Sequence, residues 1–295
     1  MLFYGKEIPT WKANLHTHST TSDGSFTPSQ VAELYENAGY DLIFLSDHQC
    51  TNDVKTLADR KIRVYSGIEL HPLGPRDIQW HILGLGVPLD FDGYPESAQA
   101  AIDAVNAVGG VAFIAHPYWC RFTSQEVMSV HGSAGIEVYN ASCRNIAREY
   151  NMQLWDEMLD AGELPFAIAV DDMHTPRCLF KGWTMICAEE NTETAILSAL
   201  RNGAFYATQG PEFKKLSFDG RIFEAEFTEV ESAILTTNVT CGYFEAIPGC
   251  PFTSSHKLVT SLRLDVTKLY AGTTIRCQIR DVNGHYAWSN PIRFR

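Results

Sequence analysis

The stretch NLHTHSTTSDG, residues 14–24, sets two histidines two positions apart, His16 and His18, and follows them with Asp23. The same residue types recur at the ends of short apolar runs. Asp47 and His48 end DLIFLSDH, Glu69 ends VYSGIEL, His81 opens a strand in WHILGLG, His116 ends VAFIAHP, and Asp172 and His174 end PFAIAVDDMH. Residues two apart on an extended chain point to the same side, so each H-x-H or D-x-H pair presents both groups together. Neutral imidazole and carboxylate together bind zinc, manganese or iron well, and hard oxygen ligands also allow magnesium. A lone histidine at a strand end is usually a hydrogen-bonded structural residue. Two such pairs, a D-H and a lone glutamate, each tied to an apolar strand, point to metal far more specifically than any single match. Nine side chains, His16, His18, Asp23, His48, Glu69, His81, His116, Asp172 and His174, exceed what one ion needs. They imply two or three divalent ions with shared ligands, and Glu69, with two carboxylate oxygens, is the natural bridge.

The elements that must position these residues can be read from pattern. KANLHTH reads as a strand ending in a loop. Thr27 is placed to cap a helix, with Pro28 at its first position and Gln30 completing a capping box. Val31, Leu34, Tyr35 and Ala38 then follow helical spacing, and Gly39 stops the helix. Further helices are expected at about 96–108, at 144–161, and from Asn191 or Thr192 to Arg201, with Asn202 and Gly203 as its stop. Between them lie the apolar runs DLIFLSDH, RKIRVYSGIEL, WHILGLG, VAFIAHP, GIEVYN, PFAIAVDDMH and GWTMICAEE. Alternating helices and near-continuous apolar strands predict a parallel sheet covered by helices. Seven or eight such units predict an α/β barrel, whose C-terminal strand ends converge on one mouth. After Gln209, Gly210 and Pro211 the texture changes to short alternating runs, and Asn283–Gly284 marks a hairpin. Residues 1–210 therefore read as the barrel and 211–295 as a small all-β, sandwich-like module.

Composition narrows the function classes. Lys and Arg total 23 against 35 Asp and Glu, and the whole excess of acid lies in residues 1–210, which hold 13 basic and 26 acidic residues. Binding to the backbone of a long nucleic acid needs a basic face, so no long nucleic-acid partner is expected. No apolar run approaches the length of a membrane span, and MLFYGKEIPTWKANLH lacks a basic-then-apolar leader pattern. The eight cysteines form no C-x-x-C. They read as free thiols in a reducing cytoplasm, although Cys241 and Cys250 could pair in an oxidising one. No G-x-S-x-G elbow or P-loop is present, which removes serine-hydrolase and P-loop readings.

The ordered set HTHSTTSDG, SDH, GIEL, WHILGLG, AHP and DDMH resembles the PHP (polymerase and histidinol phosphatase) family over about residues 12–210. The resemblance implies a distorted (β/α)7 TIM-like barrel with a trinuclear metal centre that hydrolyses phosphoesters. It implies a first ion on His16, His18, Glu69 and Asp172, a second on Glu69, His81 and His116, and a third on Asp23, His48 and His174. The tail GHYAWSNPIRF resembles the β module that follows this domain in some stand-alone bacterial members.

On the substrate side, Arg121 and Arg144 are candidates to clamp a phosphate in bidentate fashion, against a surface ion-pair role. Some family members place an arginine close behind AHP, whereas HPYWCR spaces Arg121 differently. His71 is a candidate substrate contact or proton donor to a leaving group, with a supporting structural role as the alternative. Tyr118 and Trp119 could stack on a base or sugar. Asp171 should point away from Asp172, Asp47, which precedes His48, should play a supporting role through a hydrogen bond, and His131 reads as an ordinary loop residue. The expectation is a cytoplasmic hydrolase acting on a small phosphate ester such as a nucleotide, sugar phosphate, amino-alcohol phosphate or short oligonucleotide. The alternatives are a metal-stabilised binding module without catalysis and metal-assisted hydrolysis of a non-phosphate bond.

Overall fold

Seven short strands carry the candidate residues in the computed structural model, which describes residues 1–91, 95–238, 243–246, 258–269 and 272–294. They are β1 (Thr10–Asn14), β2 (Leu42–Leu45), β3 (Arg63–Leu70), β4 (Ile82–Leu85), β5 (Val111–Ile114), β6 (Gly135–Asn140) and β7 (Phe166–Val170). They pair in sequence order into a strongly curled sheet. The ends of the curl meet through one parallel bridge between Thr17 and Met173, where His18 N–H donates to the Met173 carbonyl at 3.0 Å. Below that bridge the edge of β1 is taken by the antiparallel strand Trp183–Cys187, in the register Thr184 to Ala13. The distorted α/β barrel expected from the sequence is therefore present.

Its strands are not all parallel. β4 runs antiparallel to both β3 and β5. This corrects the uniformly parallel sheet, and it has a consequence for the site. The start of β4 lies where its neighbours end, so His81, which precedes the strand, reaches the same mouth as residues that follow the others.

The apolar runs are continuous because both sheet faces are buried. Leu42 and Phe44 of β2 point inward with Ala13, Leu83, Leu85 and Phe113. Ile43 and Leu45 point outward against Val31, Ala32 and Tyr35 of the helix Pro28–Asn37. That helix has the expected capping box between Thr27 and Gln30. Ile196, Leu197 and Leu200 of the helix Glu193–Arg201 join the inward cluster. Each such Leu, Ile or Phe buried contributes about 1.5–3 kcal/mol before entropy is counted.

One helix reading needs correction. Residues 144–161 do not form one helix; a 3-10 turn at Ser142–Ile146 is separated from the helix Met152–Asp160. Between them Ala147 adopts a left-handed backbone, φ 55°, and Tyr150 bridges to Tyr139 of β6. The apolar spacing alone did not register the break, because Tyr150 packs into the core cluster instead of extending the helix.

Residues from 213 onward form the expected β elements. Phe213–Phe218, Ile222–Val230 and Val259–Asp265 make one sheet, and the chain start joins it, with Leu2 opposite Lys215. A second layer, Ser232–Thr237, Thr274–Arg280 and Tyr286–Ser289, continues the barrel sheet through Phe205–Thr208. The two layers enclose Phe213, Leu216, Phe223, Phe227, Leu235 and Ile279. Asn283 and Gly284 make the predicted hairpin turn, where the Asp281 carboxylate accepts from the N–H groups of Asn283 and His285. Arg276 is buried here, 2.6 Å from Asp156 and 4.6 Å from the Trp155 ring, and so ties this layer to the helix Met152–Asp160.

Among the described residues, no helix is long and apolar enough to cross a membrane. Cys50, Cys120, Cys143, Cys178, Cys187 and Cys277 are free thiols. Cys241 and Cys250 lie outside the described residues.

Candidate metal centre

The opening stretch follows β1 and stays extended from Leu15 to His18. Thr17 anchors it on both sides. Its hydroxyl donates to the Phe44 carbonyl at 2.6 Å, its N–H donates to Ser46 Oγ at 3.0 Å, and its backbone bridges to Met173. With Thr17 held outward, His16 and His18 both point to the interior, and both are fully buried. The hydroxyl residues that follow have a clear task. They fold the loop around Asp47, whose carboxylate accepts from Ser19 N–H and Oγ, Ser22 N–H and Oγ, and Asn52 Nδ2, at 2.6–3.1 Å. Those donors hold its carboxyl below the usual range, although burial alone would push it up. Gly24 closes the turn. A Cβ there would lie 2.6 Å from the His18 carbonyl carbon and oxygen, so no side chain fits without moving His18. The turn presents Asp23, which is half exposed.

Glu69 is the hub. It is fully buried at the end of β3, and its two oxygens face imidazole nitrogens on every side. Oε1 lies 2.7 Å from His81 Nδ1 and 3.1 Å from His116 Nε2. Oε2 lies 2.7 Å from His48 Nδ1, 3.3 Å from His16 Nε2, 3.4 Å from His18 Nε2 and 3.5 Å from His71 Nε2. Asp172 Oδ1 stands 3.0 Å from His18 Nε2 and 3.3 Å from His174 Nδ1. Asp23 Oδ1 stands 3.5 Å from both His48 Nε2 and His174 Nε2. Asp23, His48, Glu69, His81, His116, Asp172 and His174 line one cavity of about 230 Å³, and His16, His18 and His71 reach the same cluster through Glu69.

The donor chemistry fits cations. His18 Nδ1, His48 Nδ1, Glu69 Oε2, His71 Nε2 and Asp172 Oδ1 are buried with no hydrogen-bond partner. Buried polar atoms are nearly always paired, so five such atoms gathered at Glu69 without a well-aligned hydrogen bond mark a place where something else completes their coordination. Burial alone would push the Glu69 and Asp172 carboxyls up, but the His16 imidazole and its neighbours hold both well below the usual range. Burial in turn pushes His81 down to about 4 and also lowers His18, whereas neighbouring carboxylates outweigh burial and raise His16 and His48. Four groups of donors lie within 4.8 Å of one another: His18, Asp23, His48 and His174; His16, His18 and Glu69; Glu69, His81 and His116; and His48, Glu69 and His71. Asp172 belongs to none of them but adjoins the second.

A buried carboxylate that sequence reading missed holds this arrangement from behind. Glu137 of β6 is fully buried. Its Oε1 accepts from His16 Nδ1 at 2.7 Å, and its Oε2 accepts from the His116 N–H and from Asn140 Nδ2, each at 2.8 Å. Because a carboxylate only accepts, His16 carries a proton on Nδ1, and Nε2 is the ring nitrogen left facing inward toward a cation. Asn140 also donates to Asp172 Oδ2 at 3.1 Å. One side chain thereby orients His16 and the His116 backbone and, through Asn140, Asp172. The signal was an acidic residue inside the otherwise apolar strand GIEVYN. His116 and Asp172 both sit in left-handed backbone, φ 26° and 49°, a strain of a kind that persists at functional positions where surroundings over-determine it.

The remaining candidates separate. Asp171 does point away, capped by the N–H groups of Phe180, Lys181 and Gly182 and by the Tyr35 hydroxyl. Trp119 is 43% exposed and lines the mouth, 5.2 Å from the His116 ring. Arg121 and Arg144 are both exposed and neither lines the cavity, although Ser142 and Cys143, in the same turn as Arg144, do. His131 is exposed on a loop held by Gln99.

No family model matches the chain. Over 83 residues, 25% of the chain, it is 34% identical to the 3′,5′-nucleoside bisphosphate phosphatase of Chromobacterium violaceum, a stretch that spans 27% of that protein's length. A two-domain protein from Bacteroides vulgatus, containing a predicted PHP-like metal-dependent phosphoesterase, superposes with TM-score 0.53 at 16% identity, over 97% of this chain and 96% of that one. A Chromobacterium violaceum amidohydrolase with bound sulfate and no metal is also similar, over 56% of this chain and 88% of that one, at 20% identity and TM-score 0.45. The resemblance carried by the motifs is borne out in the fold, which is PHP-like.

Proposed function

We propose that the chain is a metal-dependent phosphoesterase that hydrolyses a small phosphate ester, with the chemistry in residues 1–210 and a supporting β module in 211–295. The observation that carries this reading is Glu69, a fully buried carboxylate ringed by imidazole nitrogens, with unpartnered donor atoms around it. His16, His18, Asp23, His48, Glu69, His81, His116, Asp172 and His174 would hold two or three ions, with zinc, manganese and iron suited to this mixed donor set. Bound ions of this kind supply Lewis acidity toward a phosphoryl group and a nucleophile at neutral pH. No donor group among the described residues comes from beyond residue 210.

The chain's own residues account for the rest. Glu137 and Asn140 fix the ligands before substrate arrives, so no reorganisation is needed during reaction. Trp119 offers a flat face at the mouth, and the turn after β6 carries exposed Arg144 beside Ser142 and Cys143, which line the cavity, as a candidate to clamp a phosphate. Arg121 is the weaker candidate, since it is exposed at the end of the short helix Pro117–Cys120, its carbonyl held by Arg76. A neighbouring cavity of about 380 Å³, lined by Tyr118, Phe122, Tyr150 and Asn151, suits the non-reacting part of a substrate. Similarity to a nucleoside bisphosphate phosphatase favours a nucleotide.

The test is phosphate release from manganese-loaded protein on a panel of p-nitrophenyl phosphate, nucleoside monophosphates, a 3′,5′-bisphosphonucleoside, sugar phosphates and a short oligonucleotide. Activity is expected on at least one small ester, lost on chelation and in Asp172→Ala. Silence across the panel in protein with confirmed bound metal would overturn the reading.

A further inference from the structure

We propose that His48 Nδ1, Glu69 Oε2 and His71 Nε2 form a further metal-binding position, for a divalent ion of the zinc, cobalt and manganese class, with His71 as its distinctive ligand. The inference rests on the metal-centre reading above but adds a residue and a position to it.

Three observations meet there. The three atoms lie within 4.8 Å of one another, with Glu69 Oε2 at 2.7 Å from His48 Nδ1 and 3.5 Å from His71 Nε2. Each of the three is buried and none makes a well-aligned hydrogen bond, even where Glu69 Oε2 comes 2.7 Å from His48 Nδ1. Glu69 itself is fully buried, so this oxygen has only imidazole nitrogens around it and no solvent to turn to. Three buried donors gathered within 4.8 Å, two imidazoles and one carboxylate, are the ligand set of a divalent ion with an open coordination position.

The surrounding rings hold His71 in this direction. It stacks on His81, centroids 4.1 Å apart and planes 28° apart, and meets His48 edge-on at 4.5 Å. The position also gives His48 a choice. Its Nε2 faces Asp23 at 3.5 Å, while its Nδ1 faces Glu69. A neutral imidazole has one lone pair, so the ring ligates on one side and presents N–H on the other. An ion beside His71 takes Nδ1 and leaves Nε2–H toward Asp23. His18, Asp23 and His174 remain as a three-donor group.

The test uses the full chain stripped of metal and titrated with cobalt(II), reading bound ions per chain by elemental analysis and the visible absorption of the bound ion. His71→Phe keeps a ring against His81 but has no donor, His71→Asp restores a donor, and His131→Ala is the control. The expected result is one fewer bound ion in His71→Phe, or a Kd for one ion raised about 10–100-fold or more, since supporting residues alone shift affinity that far. His71→Asp should recover the ion and His131→Ala should match the wild type. Anomalous scattering from cobalt in wild-type crystals should place a peak among the three atoms, a readout that depends on no variant. Equal stoichiometry, affinity and spectrum in His71→Phe, or peaks only at the other donor groups, would overturn the position while leaving the metal centre intact. A wild type that binds no cobalt at all would overturn both.

Discussion

Replacing Glu137 by glutamine probes how much of the centre depends on one concealed side chain. The substitution keeps shape and volume and removes only the charge and one acceptor. In one orientation the amide oxygen still accepts from His16 Nδ1, but its NH2 then faces the His116 N–H and Asn140 Nδ2, both 2.8 Å from the present oxygen. Two buried donors lose their acceptor, at about 1–3 kcal/mol each, or about 2–6 kcal/mol together. In the other orientation the amide donates to His16, which must move its proton to Nε2. That proton would point at Glu69 Oε2 and Asp172 Oδ1, 3.3 and 3.5 Å away, and remove the inward lone pair. Either way the loss is a large part of a domain's usual margin of about 5–15 kcal/mol. Metal affinity should fall about 10–100-fold, as for other residues that orient a ligand. Urea unfolding of the metal-free chain measures the first effect, and competition with a chromogenic chelator measures the second. A Glu137→Gln protein within about 0.5 kcal/mol of wild type, with unchanged metal affinity, would refute the assignment of Glu137 as a positioning residue.

Asp47→Asn should loosen the loop that carries His18 and Asp23, lowering the urea midpoint at neutral pH. Because hydrogen bonds hold the Asp47 carboxyl below its usual value, its stabilisation is present above about pH 4 and fades as pH falls through its folded value. The gap between wild type and variant should therefore close in acid, and a gap that persists or widens there would contradict this account. Gly24→Ala forces the backbone away from His18 and should weaken metal binding with little change in far-UV circular dichroism; unchanged affinity would mean that the turn yields elsewhere. Arg276→Met removes the buried guanidinium between Asp156 and Trp155. Since Asp156 is half exposed and can rehydrate, the loss should be about 1–3 kcal/mol in thermal or urea unfolding, with metal affinity unchanged.

Much of the centre was legible because its signals are local. The spacing of His16 and His18 works through the two-residue period of extended backbone, and the helix from Pro28 begins where Thr27 and Gln30 cap it. The apolar runs that end in His, Asp or Glu place those groups at strand ends whatever the rest of the chain does. Other features depend on partners far away in the chain. Glu137 looked like a stray charge in a strand, and only the folding of β6 against the loop after β1 brings it 2.7 Å from His16, 121 residues earlier. His71 stood two residues past a known candidate, and its role emerges only from the rings of His48 and His81 around it.

By itself, the sequence determined the residue types, their parity on each strand, the helix starts capped at Thr27 and Thr192 and the change of texture after residue 210, since each is set by the chemistry of a few adjacent residues. The tertiary structure decided the direction of β4, and with it why a histidine that opens a strand meets histidines that end others. It also decided that the chain start pairs with Phe213–Phe218, that Tyr150 breaks a helix to enter the core, and that Arg121 and Arg144 stay outside the cavity. These outcomes follow from long-range burial and strand pairing, which sum over many distant contacts and leave no mark in any short window of sequence.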